Sequence, residues 1–248
     1  MAANKMLVSL LLDVEDIVTI EADDITRTVA RILTEEGVRA TFCVVGERVR
    51  QWMDRGRADV IEALSAHDIG SHTDYHSIHP TVIEYIGNAD WDSGVAAAVE
   101  REEPAIRAIL EAFGVEPSCW GGPGNTWAPQ INAAVVQLGC PAIVYAHTRV
   151  PRGDVHRFCG AIAYPVGHHI GDDQYHRTDQ WAANLERVIA ELNACAREGF
   201  AWREVFLGHP SRILHEEFWD APNFAHGRTR APDEYIAPRR KTQSDLDT

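Results

Sequence analysis

Two histidines separated by three residues are the first candidates for chemistry in this chain. His72 and His76 frame the string His-Thr-Asp-Tyr-His. On helix-like backbone, side chains four residues apart project the same way, so both imidazoles can bind one metal ion. The acidic residues Asp13, Glu15 and Asp16 lie near the start of the chain. A carboxylate added to two imidazoles completes a ligand set with open positions for water and substrate, which is typical of metal sites that catalyse reactions.

Each of these segments also has a plain structural interpretation. The chain holds 12 histidines, so a pair four apart is as compatible with chance as with metal binding. The acidic run 13–16 alone fits a solvated turn, and the glycine-rich string 120–125 fits a tight loop. His209 precedes Pro210, a position that holds the backbone extended at a strand end.

Short apolar runs alternate with longer amphipathic ones along the chain, which is typical of a β/α series whose strands are buried on both faces. The predicted strands cover 7–12, 40–45, 68–71, 118–120, 142–146, 158–164 and 204–207. The predicted helices cover 23–36, 57–66, 80–86, 92–113, 127–138 and 178–197. This order predicts an α/β fold, a distorted (β/α) barrel of about seven parallel strands.

The four chemically interesting segments all follow predicted strands. Asp13 ends the first strand, His72 follows the third, Trp120 opens the glycine-rich loop after the fourth, and His209 follows the seventh. In parallel α/β barrels these strand ends meet at one rim, where catalytic side chains lie. Polar residues that occurred by chance would not all fall at the same ends of the predicted strands, so we expect these residues to form one site.

Two local features concern the ends of the chain's elements. The helix predicted over 23–36 has Asp23 in a position to cap its free amides and Gly37 where the helix stops. After residue 220 no periodic pattern remains. We therefore divide the chain into a barrel over 1–220 and a C-terminal tail or docking arm over 221–248.

Composition excludes several classes of function. The 248 residues are 45% hydrophobic and 24% charged, which fits one large globular domain. A net charge of -14 makes nucleic acid and anionic membranes unexpected partners.

The first apolar run, Met6 to Leu12, is too short for a signal peptide or a membrane span, so we expect a cytoplasmic protein. The five cysteines contain no C-x-x-C pair, which argues against a zinc knuckle.

Four segments match the motifs of one enzyme family. The string 72–76 has the pattern H-[S/T]-x-x-H, segment 11–16 is similar to T-F-D-D-G, segment 40–46 to A-T-F-F-V-x-G, and segment 207–209 to L-x-H. On these motifs the chain resembles the polysaccharide deacetylase superfamily, carbohydrate esterase family 4 with its NodB homology domain. Within it the chain resembles the branch of cytoplasmic peptidoglycan-deacetylase-like and allantoinase-like proteins.

Two family features have no counterpart. Gly121 stands where the third motif places an arginine that pairs with the catalytic aspartate. The Asp-Trp pair of the fourth motif, which orients the catalytic histidine, has no clear match; the nearest string is 179–181.

The resemblance implies a metal-dependent hydrolase that cleaves a non-peptide amide bond. It favours deacetylation of an N-acetylated sugar or a related small substrate. A divalent ion, Zn²⁺ by ligand type although Fe, Co or Mn also fit, would be held by His72, His76 and a carboxylate. That carboxylate is Glu15 if the strand continues, because side chains two apart share a face with Asp13, or Asp16 if the strand ends at Asp13.

The resemblance also implies roles around the metal. Asp13 would act as general base and His209 as the acid that protonates the leaving amine. The loop with Pro123 and Gly124 would donate backbone N–H groups to the oxyanion. Trp120 is a candidate for lining the substrate cleft, with packing in the core as the alternative.

Three other functions remain open at this point. A metal-independent hydrolase of cyclic amides is known in the allantoinase-like branch, and the intact histidine pair argues against it. His72-Thr73-Asp74 also fits the H-x-D of a non-haem iron oxygenase with His209 as distant ligand, but that chemistry belongs to all-β jelly rolls. A degenerate barrel that only binds a ligand is compatible with the missing arginine. Relatives in this branch are often homo-oligomers, and we expect the same here.

Overall fold

The computed structural model describes residues 5–144, 156–164, 167–171 and 178–242. Its strands are β1 (Leu7–Val14), β2 (Thr41–Val44), β3 (Asp68–Ser71), β4 (Trp120–Gly121), β5 (Ala142–Val144), β6 (His156–Phe158), β7 (Ala161–Tyr164), β8 (His168–His169) and β9 (Trp202–Gly208). Its helices are α1 (Glu21–Glu35), α2 (Gly46–Asp54), α3 (Ala58–Ser65), α4 (Val82–Ile86), α5 (Trp91–Phe113), α6 (Pro129–Gln137), α7 (Thr178–Arg197) and α8 (Ala221–Phe224).

All strands of the described residues join one sheet. Their order is β6-β7-β5-β4-β3-β2-β1-β9-β8, and every neighbouring pair is parallel except β6 with β7. β4, β3, β2, β1 and β9 are therefore direct neighbours, and their carboxyl ends share one edge of the sheet. This edge carries the residues that the sequence singled out.

The sheet curls around an interior of its own side chains. One buried cluster combines Leu11 of β1, Cys43 of β2, Val144 of β5 and Phe206 of β9. Among the described residues, every member of this cluster comes from a strand or from Cys119, which directly precedes β4. With no helix in that cluster, the sheet buries this face by curving over itself, as in a distorted barrel.

Helices cover the outer face of the curled sheet. α1, α2, α3 and α5 pack on β1, β2 and β3, and α4, α5 and α6 pack on β4, β5 and β7. α7 lies against β9. The apolar stripe of each helix thus supplies the second layer of an α/β barrel. None of the described helices combines the length and apolar character needed to cross a membrane.

The predicted fold class is confirmed, but the count of about seven parallel strands is not. The described residues form nine strands, one of them antiparallel. The segment predicted as one strand over 158–164 is a hairpin of β6 and β7, because Cys159 (φ 48°) and Gly160 (φ 86°) reverse the chain within it. β8 was not predicted, and residues 145–146 of the fifth predicted strand lie outside the described residues.

The sequence pattern did not predict α2, and it predicted the wrong role for Asp23, that of capping α1. α2 presents few apolar side chains, of which Val49 and Trp52 are buried. α1 begins at Glu21, so Asp23 does not cap it; the Asp23 carboxylate is buried and pairs with Arg48 at 2.6 Å. Gly37 does take the left-handed conformation predicted after the helix.

The described part of the C-terminal segment, residues 221–242, packs against the barrel. Phe224 belongs to a buried cluster with Ile17, Val45 and Trp219, and Lys241 Nζ donates to the backbone carbonyl of Arg212 at 2.6 Å. Its separation from the barrel at residue 221 stays a prediction, and residues 243–248 lie outside the described residues.

Candidate active site

Strand register brings the acidic residues and the first histidine to one level. Val14 pairs with Val44, and Val44 pairs with Ser71. Glu15 and His72, which follow directly, therefore leave β1 and β3 at the same height. Because β1 extends to Val14 rather than ending at Asp13, Glu15 stays on the face of Asp13.

Glu15, His72 and His76 form a buried cluster. One ligand-type atom from each of the three residues lies within 4.8 Å of the others. His72 Nε2 is 3.8 Å from Glu15 Oε2, and His76 Nε2 is in direct contact with the same oxygen. Two imidazole nitrogens and one carboxylate oxygen on a common point are a ligand set for a divalent transition metal.

Asp16, the alternative carboxylate, points elsewhere. Its Oδ1 accepts hydrogen bonds from the backbone N–H groups of Val18 (2.9 Å) and Thr19 (3.0 Å), and its Oδ2 accepts one from the Thr19 hydroxyl. These bonds close the turn after β1 in the way typical of an Asx turn. The structure thus groups Glu15, and not Asp16, with the two histidines.

The histidine pair sits on a loop rather than on helix-like backbone. His72 continues the extended end of β3, whereas Thr73 (φ 64°) and His76 (φ 55°) are both left-handed. The Thr73 hydroxyl accepts a hydrogen bond from the His76 backbone N–H at 2.9 Å. The two rings still meet, with centroids 5.1 Å apart. The predicted convergence therefore arises from a tight turn, and the helical reason for it was wrong.

Helix α2 anchors this histidine loop. The first N–H groups of the helix, from Gly46 and Glu47, donate to the carbonyls of Thr73 (3.0 Å) and Asp74 (2.9 Å). Arg50 of the same helix pairs with the Asp74 carboxylate at 2.6 Å. These free amides of a helix start need acceptors, and the loop provides them. The helix that the sequence pattern missed thus positions the histidines.

Asp13 and His209 border the same cluster. Asp13 Oδ2 lies 3.7 Å from His72 Nε2 and 3.8 Å from His209 Nε2. His209 Nε2 is also 3.6 Å from Glu15 Oε1. The His209 ring packs edge-on against Phe218, with centroids 4.9 Å apart. A carboxylate and an imidazole able to exchange protons therefore flank the candidate metal ligands.

The charges at the site fit a divalent cation. Burial alone would raise the pKa of Glu15, but the charges of His76 and His209 and hydrogen bonds from the histidines hold that pKa well below its ordinary value. Burial alone would lower the pKa of His72. The nearby charge of Asp13 and the hydrogen bond between His72 and Glu15 outweigh this effect, so the pKa of His72 is raised. Two buried carboxylates among imidazoles require compensating positive charge, and this is what a divalent ion provides.

The glycine-rich loop borders a groove next to the cluster. Pro123 and Gly124 line this groove together with His76, Ser77 and Asp220. The loop is tight, since a Cβ on Gly122 would stand 2.0 Å from the Thr126 carbonyl oxygen. Only glycine fits there, and this keeps the loop in place beside His76.

Trp120 does not line the groove. Its side chain is fully buried in the core between β4 and α5, and its indole N–H donates to Glu102 at 2.8 Å. This position corresponds to the alternative stated for Trp120, packing in the core, because the indole lies among the helices that cover the sheet.

The sequence and the fold match one family. The family model for polysaccharide deacetylases matches residues 3–143, more than half of the chain. The chain belongs to the polysaccharide deacetylase family. Members of this family are hydrolases of carbon-nitrogen bonds other than peptide bonds, and this deacetylase is an enzyme of that class. The family is generally metal-dependent and acts on saccharides.

Solved structures share the fold of this deacetylase at low sequence identity. A protein of Mycobacterium smegmatis assigned to the polysaccharide deacetylases is 18% identical, with a TM-score of 0.61 and coverage of 97% of this chain and 95% of that one. The peptidoglycan N-acetylglucosamine deacetylase Bc1960 is 15% identical, with a TM-score of 0.50 and coverage of 83% and 73%. No curated protein matches the sequence.

The candidate site also contains residues that the sequence analysis did not select. Ser77 Oγ lies 2.8 Å from His76 Nδ1 and donates to Asp220 Oδ2 at 2.6 Å. Ser77 could have been selected from the sequence, because it directly follows the candidate ligand His76. No feature of the sequence indicated Asp220, because its proximity to Ser77 exists only in the folded chain. Glu204 lies beneath the site, where burial, with a smaller contribution from Asp13, raises its pKa to about 8.

Proposed function

We propose that the protein is a metal-dependent deacetylase in which Glu15, His72 and His76 bind a divalent cation. The proposal rests on one observation, the convergence of these three side chains on a common buried point. Zn²⁺ is the ion that best suits two imidazoles and one carboxylate with open positions. When bound, such an ion polarises a carbonyl oxygen and lowers the pKa of a coordinated water toward about 7.

Asp13 and His209 supply the proton transfers in this proposal. Asp13 accepts a proton from the attacking water as the water oxygen bonds to the amide carbon. His209, as imidazolium, donates a proton to the nitrogen when the carbon-nitrogen bond breaks, so that the amine leaves neutral and the acyl product is acetic acid, which loses its proton to solvent as acetate. The positions of both side chains beside the ligand cluster support these roles, since Asp13 Oδ2 and His209 Nε2 are 3.8 Å apart.

The groove beside His76 is the proposed site for the substrate. Pro123 and Gly124 form one side of it, and backbone N–H groups of that loop are the proposed donors to the oxyanion, each worth about 3 kcal/mol. The proposed substrate is an N-acetylated sugar or a related small molecule, in keeping with the saccharides on which the family acts. A cytoplasmic location and a homo-oligomeric state remain predictions from the sequence and are part of this proposal.

Metal analysis and product release test the proposal together. We expect purified protein to contain about one divalent ion per chain and to release acetate from an N-acetylglucosamine oligomer. The His72→Ala, His76→Ala double variant should lose both the ion and the activity. His79→Ala is the matched control, because His79 lies on the same loop but is exposed and contacts Glu84.

Other outcomes would assign a different function. Activity in metal-free protein, with ammonia released from a cyclic ureide and no acetate from the oligomer, would identify a metal-independent cyclic-amide hydrolase. A folded, metal-loaded protein that hydrolyses no compound in a broad amide panel would identify a binding protein. Either result would overturn the proposed function.

A further inference from the structure

A three-residue relay links a candidate metal ligand to the C-terminal part of the chain. His76 Nδ1 lies 2.8 Å from Ser77 Oγ, and Ser77 Oγ lies 2.6 Å from Asp220 Oδ2. Both distances are those of good hydrogen bonds. Asp220 follows β9 and is 143 positions away from Ser77 in sequence.

The proton count in this relay fixes the tautomer of His76. Ser77 has a single hydroxyl proton, which it donates to the Asp220 carboxylate, since an ionised carboxylate only accepts. The bond between Ser77 and His76 must then be donated by Nδ1–H. Because Nδ1 keeps its proton, His76 becomes neutral only by releasing the proton of Nε2, the atom that contacts Glu15, and Nε2 then offers its lone pair. This is the atom that binds the cation in the proposed function.

The loop that carries Asp220 is itself held firmly. The amide of Asn223 donates to the carbonyls of Trp219 (2.7 Å) and Ile236 (2.9 Å) and accepts from the Ile236 N–H at 2.8 Å. The Trp219 ring packs against the His76 ring, with centroids 5.6 Å apart. Asp220 is thus presented to Ser77 by a segment that also contacts the ligand ring directly.

His72 has no such support. Its Nδ1 is buried without a hydrogen-bond partner in the part of the chain that the structure describes. Among the described residues the two candidate ligands therefore differ, because His76 has an outer hydrogen-bond partner on Nδ1 and His72 does not. Outer partners of this kind typically change metal affinity by about 10- to 100-fold.

We propose that Ser77 and Asp220 are positioning residues that hold His76 in the tautomer and orientation that bind the cation. The inference rests on the proposed metal-dependent function and assigns part of its metal affinity to residues outside the ligand set. In this proposal the segment after β9 supports the metal site, because its Asp220 accepts the hydrogen bond from Ser77. Neither residue is proposed to touch the reacting atoms.

The test measures Zn²⁺ affinity directly, by competition with a chromophoric chelator. We expect Ser77→Ala and Asp220→Ala each to raise the dissociation constant by about 10- to 100-fold. Ser77→Thr keeps the hydroxyl and should restore the affinity to within about threefold of the unchanged protein. The visible absorption of Co²⁺-loaded samples reports ligand geometry and should shift in the alanine variants only.

Ser118→Ala is the matched control for losing a serine-to-aspartate hydrogen bond. Ser118 Oγ donates to Asp68 Oδ2 at 2.6 Å, the same kind of bond and length as in the relay, in residues outside the ligand cluster. It should leave the Zn²⁺ dissociation constant unchanged. Thermal unfolding with a chelator present identifies any variant whose fold, rather than its metal site, has been damaged.

The outcomes separate this inference from the proposed function. If the unchanged protein binds Zn²⁺ and Ser77→Ala binds it equally well, the relay has no positioning role, whereas the proposed function stands. If Ser77→Ala and Ser77→Thr lose affinity equally, the hydroxyl is not responsible and the inference is overturned. If the unchanged protein binds no divalent ion, the proposed function itself fails.

Discussion

The imidazole of His209 faces the carboxylate of Asp13, with Nε2 and Oδ2 3.8 Å apart. The pairing of β1 with β9 explains this proximity, because Leu12 is in register with Gly208 and the two functional residues follow at the carboxyl ends. A base and an acid are thereby placed on neighbouring strands, next to the candidate metal ligands.

Replacement of the proposed base tests the first proton transfer. Asp13→Asn keeps the size of the side chain but cannot accept the proton from water. We expect kcat to fall by about 100- to 10,000-fold, while the metal content stays unchanged, because Asp13 is not part of the ligand cluster. Kinetics and metal analysis on the same sample check this, and a variant with normal kcat would exclude Asp13 as the base.

Replacement of the proposed acid has a substrate-dependent signature. An amine leaves poorly without a proton, whereas 4-nitrophenolate leaves readily as an anion. We therefore expect His209→Gln to reduce hydrolysis of an acetamide by about 100-fold or more and hydrolysis of 4-nitrophenyl acetate far less. Equal losses on both substrates would show that His209 does not protonate the leaving group.

The two acidic neighbours of Asp13 should behave differently when altered. Glu15→Gln removes a candidate ligand, and we expect it to abolish tight binding of the divalent ion. Asp16→Asn should leave metal affinity intact but lower the free energy of unfolding by about 1–3 kcal/mol, since the Asp16 carboxylate closes the turn through Val18 and Thr19. Metal titration and urea unfolding of both variants check this pair. The reverse pattern would make Asp16 the ligand.

The raised pKa of Glu204 should make the free energy of unfolding depend on pH. Burial, with a contribution from Asp13, raises the pKa of Glu204 from an ordinary 4.5 to about 8. The folded protein therefore keeps a proton that the unfolded chain releases, so the free energy of unfolding falls as pH rises between these values. Glu204→Gln is neutral throughout and should remove this part of the decline, on the order of a few kcal/mol. Urea unfolding at pH 5 and pH 8 measures it, and parallel curves for both proteins would contradict the prediction.

Local patterns were sufficient for most of the barrel. Buried apolar runs predicted β1, β2, β3 and β9, and their polar ends identified Asp13, His72 and His209 as neighbours. Such predictions succeed because strand periodicity and strand-end positions depend on nearby residues. The same reasoning failed for α2, whose apolar stripe is too narrow, and for the segment 158–164, where left-handed backbone at Cys159 and Gly160 splits the run into two strands.

The candidate site was harder to predict where its parts come from distant segments. The choice of Glu15 over Asp16 depends on how far β1 extends, and the turn that brings His76 back to His72 depends on its contacts with α2. Residue types and spacing limited the site to a few side chains. The hydrogen bond from Ser77 to Asp220 left no trace in the pattern, because it joins residues 143 positions apart. Such a pair is selected by the packing of the whole chain, which no local periodicity encodes.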